Sequence, residues 1–154
     1  MRILGIDPGT TESGWALYDS DSRAVIDSGT VNNDQVMVML SPSSTLDFNK
    51  LAIEQIKGMG MLVGQEVFET TWWTGRFYQA AYEHVPVRRV PRHAEKMHLC
   101  GSMQAKDKNI RQALIDKLGP PGKMKDPGPT YGVSGDAWAA LAVAVTAAET
   151  PETV

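Results

Sequence analysis

Short apolar runs, each closed by a polar turn, fill the first third of the chain. Arg2 to Asp7, Gly14 to Asp19 and Arg23 to Val31 read as three consecutive strands. Connections as short as Asp19-Ser20-Asp21-Ser22 predict that they form an antiparallel meander. Asp34 to Leu40 predicts a short helix, stopped by Ser41-Pro42-Ser43-Ser44, and Asn49 to Glu54 predicts a fourth strand. A long helix from about Gly64 to Glu83 follows, then a fifth strand at Val85 to Val90. The remainder reads as helical, broken at Gly119-Pro120-Pro121-Gly122 and again at Pro127-Gly128-Pro129. The expectation is an α/β fold with a five-stranded mixed sheet flanked by helices. One domain over residues 1–154 accounts for the pattern, with no internal repeat and no linker between two cores.

The long helix can be read residue by residue at about 100° per step. Val67, Thr71, Thr74, Tyr78, Ala81 and Tyr82 share one face, the predicted core side, with Glu69, Arg76 and Glu83 opposite. Trp72 and Trp73 both fall beside the polar stripe. Two outward tryptophans predict a contact with a second copy of the chain, the alternative being cover from the protein's own loops.

A chain of 154 residues is long enough to bury about two-thirds of the surface its unfolded form exposes. Cys100 is the only cysteine, so no intramolecular disulfide can form. With no leader-like opening and no run long enough to span a bilayer, a cytoplasmic protein is expected. The net charge of −3 hides a strong asymmetry. Residues 1–54 hold three Lys or Arg against eight acids, residues 55–125 twelve against six, and residues 126–154 none against four. A basic middle between acidic ends suits a protein that gathers cations in an acidic centre while positive surface holds a polyanion; a solvated charged face gives the same counts.

Chemistry is expected first at Asp7. It follows the apolar run Ile3 to Ile6 and emerges at the sheet's carboxyl edge, where open α/β sheets collect ligands. The turn Asp7-Pro8-Gly9-Thr10-Thr11 can serve two chemistries: a cradle for a nucleotide phosphate, or an Asp holding a metal ion against a phosphodiester. Glu54 also ends an apolar strand, and Asp136 falls in the first turn of an Ala-rich helix with Ser134 as its predicted N-cap. Each acid alone has an ordinary structural explanation, a strand-end surface acid or a complement to the helix dipole. Converging, the three would repel one another unless cations neutralised them. Oxygen ligands without a His or Cys cage suit Mg²⁺ or Mn²⁺, and two such ions about 4 Å apart are a common apparatus for phosphodiester hydrolysis. His93, His98 and Cys100 lie close in sequence but lack a suitably spaced fourth ligand, so zinc is not expected.

These segments, in this order, resemble the RuvC family of Holliday junction resolvases within the RNase H-like superfamily. G-I-D-P-G-T-T-E-S-G-W-A (Gly5 to Ala16) resembles the family's first motif and L-A-I-E-Q-I (Leu51 to Ile56) its second. Val90-Pro91 through Lys96, Gly101 and A-K-D-K-N-I (Ala105 to Ile110) resemble its basic middle, and D-A-W-A-A-L-A-V-A (Asp136 to Ala144) its last helix. The likeness is greatest to compact resolvase-like proteins of bacteriophages. It implies an RNase H-like fold, with metal ligation and catalysis by Asp7, Glu54 and Asp136 and a pair of Mg²⁺ or Mn²⁺ ions in each active site. It also implies a homodimer that cuts opposing strands of a four-way junction. Phosphate contacts are implied for Lys96, Lys106, Lys108 and Arg111, and more weakly for Arg88, Arg89, Arg92, Lys123 and Lys125.

Two departures stand out. The family usually places a further acid three residues after the first on its last helix, and Ala139 occupies that position. Asp107, Asp126 or Glu12 is then the available substitute, unless three acids suffice. The loop after the second acid, which commonly carries a base-stacking aromatic, reads Ile56-Lys57-Gly58-Met59-Gly60-Met61. Two other function classes remain open at this point: a branched-DNA-binding protein that does not cut, and a nucleotide-binding ATPase of the actin and sugar-kinase type. The single lobe and the lack of a second glycine-rich phosphate loop count against the ATPase.

Overall fold

The computed structural model describes residues 1–58 and 60–152, so Met59 of the methionine-containing loop lies outside the described residues. Strands β1 (Arg2–Asp7), β2 (Glu12–Asp19) and β3 (Ala24–Asn32) form the meander. They are followed by α1 (Asn33–Leu40), β4 (Lys50–Gln55), α2 (Gln65–Tyr82) and β5 (Val87–Pro91). The sheet order is β3-β2-β1-β4-β5, antiparallel across the first three strands and parallel from β1 through β4 to β5. The five predicted strands are all present, the first with its predicted bounds and the other four shifted by one or two residues at one or both ends.

Beyond β5 the chain is less uniformly helical than its composition predicts. Helix α3 (Arg92–Cys100) ends at Gly101, whose left-handed φ of 66° closes the helix, a stop absent from the predicted breaks. Helix α4 (Asp107–Leu118) follows, then a two-residue hairpin of β6 (Gly122–Lys123) and β7 (Asp126–Pro127), then α5 (Ala137–Glu149). Among the described residues, no helix is long and apolar enough to cross a membrane.

Side-chain alternation along each strand splits the core in two. Ile3, Ala16, Tyr18, Ala52 and Val90 point to the layer of α3, α4 and α5. Leu4, Ile6, Leu17, Leu51 and Ile53 point to α1 and α2. Small residues let α5 lie directly on the sheet: a Cβ on Gly5 would stand 2.2 Å from the Ala140 carbonyl oxygen and 3.0 Å from the Ala144 Cβ. The far end of α5 is tied down by Arg88, which donates to the carbonyls of Ala147 (3.0 Å), Thr150 (2.6 Å) and Pro151 (2.9 Å) and to Thr150 Oγ1 (2.8 Å). This guanidinium, one of the weaker phosphate candidates, caps a helix C-terminus instead. Glu149 accepts from Lys117 at 2.8 Å and pairs with His98 at 2.7 Å, joining α5 to α4 and α3.

The inward face of α2 differs from the predicted one. Thr70, Phe77 and Ala81 are its buried residues, and Trp73 packs against the same core. Those positions recur at i, i+3, i+7 and i+11, a helical stripe rotated from the predicted face; of the predicted positions, Thr71 and Tyr82 are exposed. The two tryptophans therefore part company. Trp73 lies 5.7 Å from Phe77, ring centre to ring centre, while Trp72 is 58% exposed. Arg76 stacks over both rings, at 5.0 Å from the centre of Trp72 and 4.4 Å from that of Trp73.

Candidate active site

Strand alternation carries two acids to one side. Asp7 and Glu54 follow Ile6 and Ile53, which point to α1 and α2, so both carboxyls turn toward the α5 layer. Ile6 pairs with Ile53 in parallel register, and the acids are the next residues along. Asp7 also pairs with Gly14 across the meander. Gly14 has a specific role, because a Cβ there would stand 2.3 Å from the carbonyl oxygen of Asp136 and 2.8 Å from its Cβ. The start of α5 rests on that bare backbone, bringing Asp136 to the two strand acids.

Asp7, Glu54 and Asp136 line one open cavity of about 320 Å³, together with Arg92, Asp107, Arg111, Trp138 and Ala139. The three acids expected to converge from sequence do meet in the structure. Ser134 does not act as the predicted N-cap. Asp136 itself holds the cap position without a side-chain bond to the helix, preceded by turns in which Ala137 and Trp138 donate to the carbonyls of Ser134 and Gly135. Its carboxylate is free to face the cavity.

The electrostatics are those of crowded acids. Burial foremost, then the adjacent Glu54 and the further charge of Asp136, push the Asp7 carboxyl up to about 8, with Arg92 pulling the other way. Glu54 is buried, and its Oε2 has no hydrogen-bond partner. Behind it lies Glu95 of α3, 0% exposed, with neither carboxyl oxygen hydrogen-bonded. Burial and then the Glu54 charge push Glu95 up to about 9, again against Arg92. Glu95 is not among the residues that the sequence singles out. Its one signal is an acid placed a turn before Leu99, a position that packs against the core.

An all-oxygen donor set, an orphaned buried Glu54 oxygen and mutual repulsion between acids fit a hard divalent cation. Among the described residues no group of three or more His, Cys, Asp or Glu side chains is so placed as to hold a metal ion. Asp136 is exposed at the cavity, and the positive charge beside Glu54 comes from Arg92. Of the substitute acids considered for the family's fourth position, Asp107 lines this cavity, as does Ala139 itself.

The turn after Asp7 is closed on itself. Gly9 N–H donates to Ser13 Oγ at 3.2 Å, Ser13 Oγ to Asn33 Oδ1 at 2.6 Å, and Asn33 Nδ2 back to the Gly9 carbonyl at 3.0 Å. An amide engaged in this way is not offered to a nucleotide phosphate, which favours the metal-holding use of the motif. A larger hollow of about 430 Å³ between α2 and Arg89 of β5 is lined by no acid, and so offers no carboxylate ligand.

The basic candidates surround this centre unevenly. Arg111 lines the cavity and stacks over Trp138 at 5.1 Å from the ring centre. Lys96 lies in an adjoining hollow with Glu54, Arg92 and His93. Lys106 and Lys108, at the start of α4, are exposed and form no ion pair among the described residues.

No protein-family profile and no curated protein matches this chain. Solved structures do. The structure of Thermus thermophilus RuvC aligns with a TM-score of 0.70 at 20% identity, over 95% of this chain and 92% of that one. T. thermophilus RuvC in complex with a Holliday junction substrate aligns with a TM-score of 0.67 at the same identity and coverage. A sheet of this order with its acids at the carboxyl edge, matched over nearly the whole chain, gives this protein a RuvC-like fold of the RNase H type.

Proposed function

We propose that this chain is a structure-selective endonuclease that hydrolyses phosphodiester bonds in Holliday junctions or related branched DNA. The observation that carries the reading is the meeting of Asp7, Glu54 and Asp136 in one cavity of a RuvC-like fold. Asp7 stands centrally, with Glu54 beside it from the neighbouring strand and Asp136 opposite from the helix; these three would hold Mg²⁺ or Mn²⁺. When bound, a pair of such ions activates water and offsets the charge developing on the departing oxygen. Arg111 at the cavity and Lys96, Lys106 and Lys108 around it hold the DNA backbone, supplying affinity without sequence readout. The products are nicked duplexes with 5′-phosphate and 3′-hydroxyl ends.

Incubation with four-way, three-way and linear DNA, in Mg²⁺, Mn²⁺ and chelator, tests the reading. Metal-dependent cutting confined to branched DNA is the expected result, and no cutting of any substrate would refute it. Ala139 on the cavity wall favours a second reading, a protein of the same fold that grips branched DNA without cutting it. Tight metal-independent binding with no cleavage would be its signature.

Reversing Lys106, Lys108 and Arg111 to Glu is expected to flatten the salt dependence of junction binding, the slope falling by about 0.9 for each phosphate no longer neutralised. An unaltered slope would place the DNA elsewhere. The two-fold nature of a four-way junction is matched by a homodimer, formed here through the exposed face of α2. Phe68 and Trp72, one turn apart and each 58% exposed, supply its apolar centre. Trp73, although adjacent to Trp72 in sequence, contributes from beneath by supporting the helix. Replacing Phe68 and Trp72 by Ala is expected to halve the mass measured by light scattering; a surviving dimer would rule this face out.

A further inference from the structure

Arg92 opens α3 at the edge of the carboxylate cavity. Its Nη1 lies 3.6 Å from Glu54 Oε1 and 3.8 Å from Glu95 Oε2, within ion-pair range of both but beyond a hydrogen bond to either. Its Nη2 donates to the exposed Asp107 at the rim of the same cavity. The side chain is one-third exposed, whereas the two acids beneath it are buried, with Glu54 Oε2 and both Glu95 oxygens unpartnered. One guanidinium is thus hydrogen-bonded at the outside and held only by charge at the inside.

We propose that Arg92 is a placeholder for the divalent ions, a tethered cation that occupies the acidic pocket without them and yields Glu54 when they bind. The inference rests on the metal reading given above. Burying acids beside one another without a counter-charge is unfavourable, and Arg92 supplies that charge before DNA and metal arrive. An incoming ion competes for the same Glu54 oxygens, and close like charges repel. Asp107 gives the displaced guanidinium a place at the rim, still on the side where a DNA phosphate would arrive. Asp107 is then the outer anchor of Arg92, which separates it from a role as the missing fourth ligand.

Calorimetric titration of the DNA-free protein with Mn²⁺, paired with thermal unfolding in chelator and in saturating Mn²⁺, tests the proposal. Arg92→Gln is expected to bind Mn²⁺ about tenfold more tightly than the parent, because a competing charge has gone. It should also unfold at lower temperature in chelator, with the deficit removed by Mn²⁺. Arg92→Lys, which keeps the charge, should bind Mn²⁺ like the parent. Should Arg92→Gln fail to fold, Arg92→Gln with Glu95→Gln removes the buried acid left behind and is read in the same way. Equal Mn²⁺ affinity in the parent and the Arg92→Gln protein, or a stability deficit that Mn²⁺ leaves untouched, would overturn the placeholder and leave the nuclease reading intact. Absence of Asp7-dependent Mn²⁺ binding in the parent would instead overturn the metal reading, and this inference with it.

Discussion

Asp7→Asn protein is expected to bind four-way DNA like the parent and to cut it at least about a thousandfold more slowly. Asp7 is the acid on which the other two converge: it lies beside Glu54 at the sheet edge and opposite the Gly14 that seats Asp136. Asparagine keeps the shape and removes one charged oxygen ligand. The fold should tolerate it well, since burial and neighbouring acids already favour an uncharged Asp7. Binding should persist because Lys106 and Lys108 stand on the exposed start of α4, apart from the buried acids. Gel-shift titration and single-turnover cleavage on the same junction measure the two quantities. Cleavage at the parent's rate would exclude Asp7 from the chemistry.

Gly14→Ala is expected to lower cleavage about a hundredfold although position 14 bears no reacting group, because a displacement near 1 Å suffices for such an effect. The added methyl would fall 2.3 Å from the Asp136 carbonyl oxygen, closer than any stable contact, so the start of α5 must move. Overpacking of this kind costs about 1–3 kcal/mol of stability. Gly75→Ala in α2 is the control, since nothing lies within 4 Å of its added methyl. That change should stabilise the helix by up to about 1 kcal/mol and leave cleavage alone. Denaturant unfolding and single-turnover cleavage of both variants separate a local shift of Asp136 from general disruption of the structure. Equal cleavage by the Gly14→Ala protein and the control would show that α5 is not positioned through this contact.

The strands and two of the three acids are legible in the sequence because their signals are local. A short apolar run fixes a strand, alternation fixes which side its last residue faces, and Asp7 and Glu54 each close such a run. Asp136 is legible as a residue, but its seat on Gly14 is not, since that contact joins a strand to a helix more than a hundred positions away. The α2 face departs from its predicted orientation for a related reason. Period alone cannot decide between overlapping stripes, and the sheet selects Thr70, Trp73, Phe77 and Ala81, with Phe77 fully buried in the shared core. Glu95 is hidden in the sequence because an acid on a short helix is usually solvated, whereas here it is fully buried beside Glu54 of β4 and Arg92 of its own helix. Arg88 reads as surface charge until the end of α5 is placed beside it.

The Arg88 tie gives α5 an unusual mechanical character. Fastened at its tail by four hydrogen bonds and seated at its head on bare glycine backbone, the helix behaves as a clamped beam lying across the strands. Asp136 at the head cannot drift without dragging that beam, so its alignment with Asp7 and Glu54 is a property of the whole cooperative unit and not of a flexible loop.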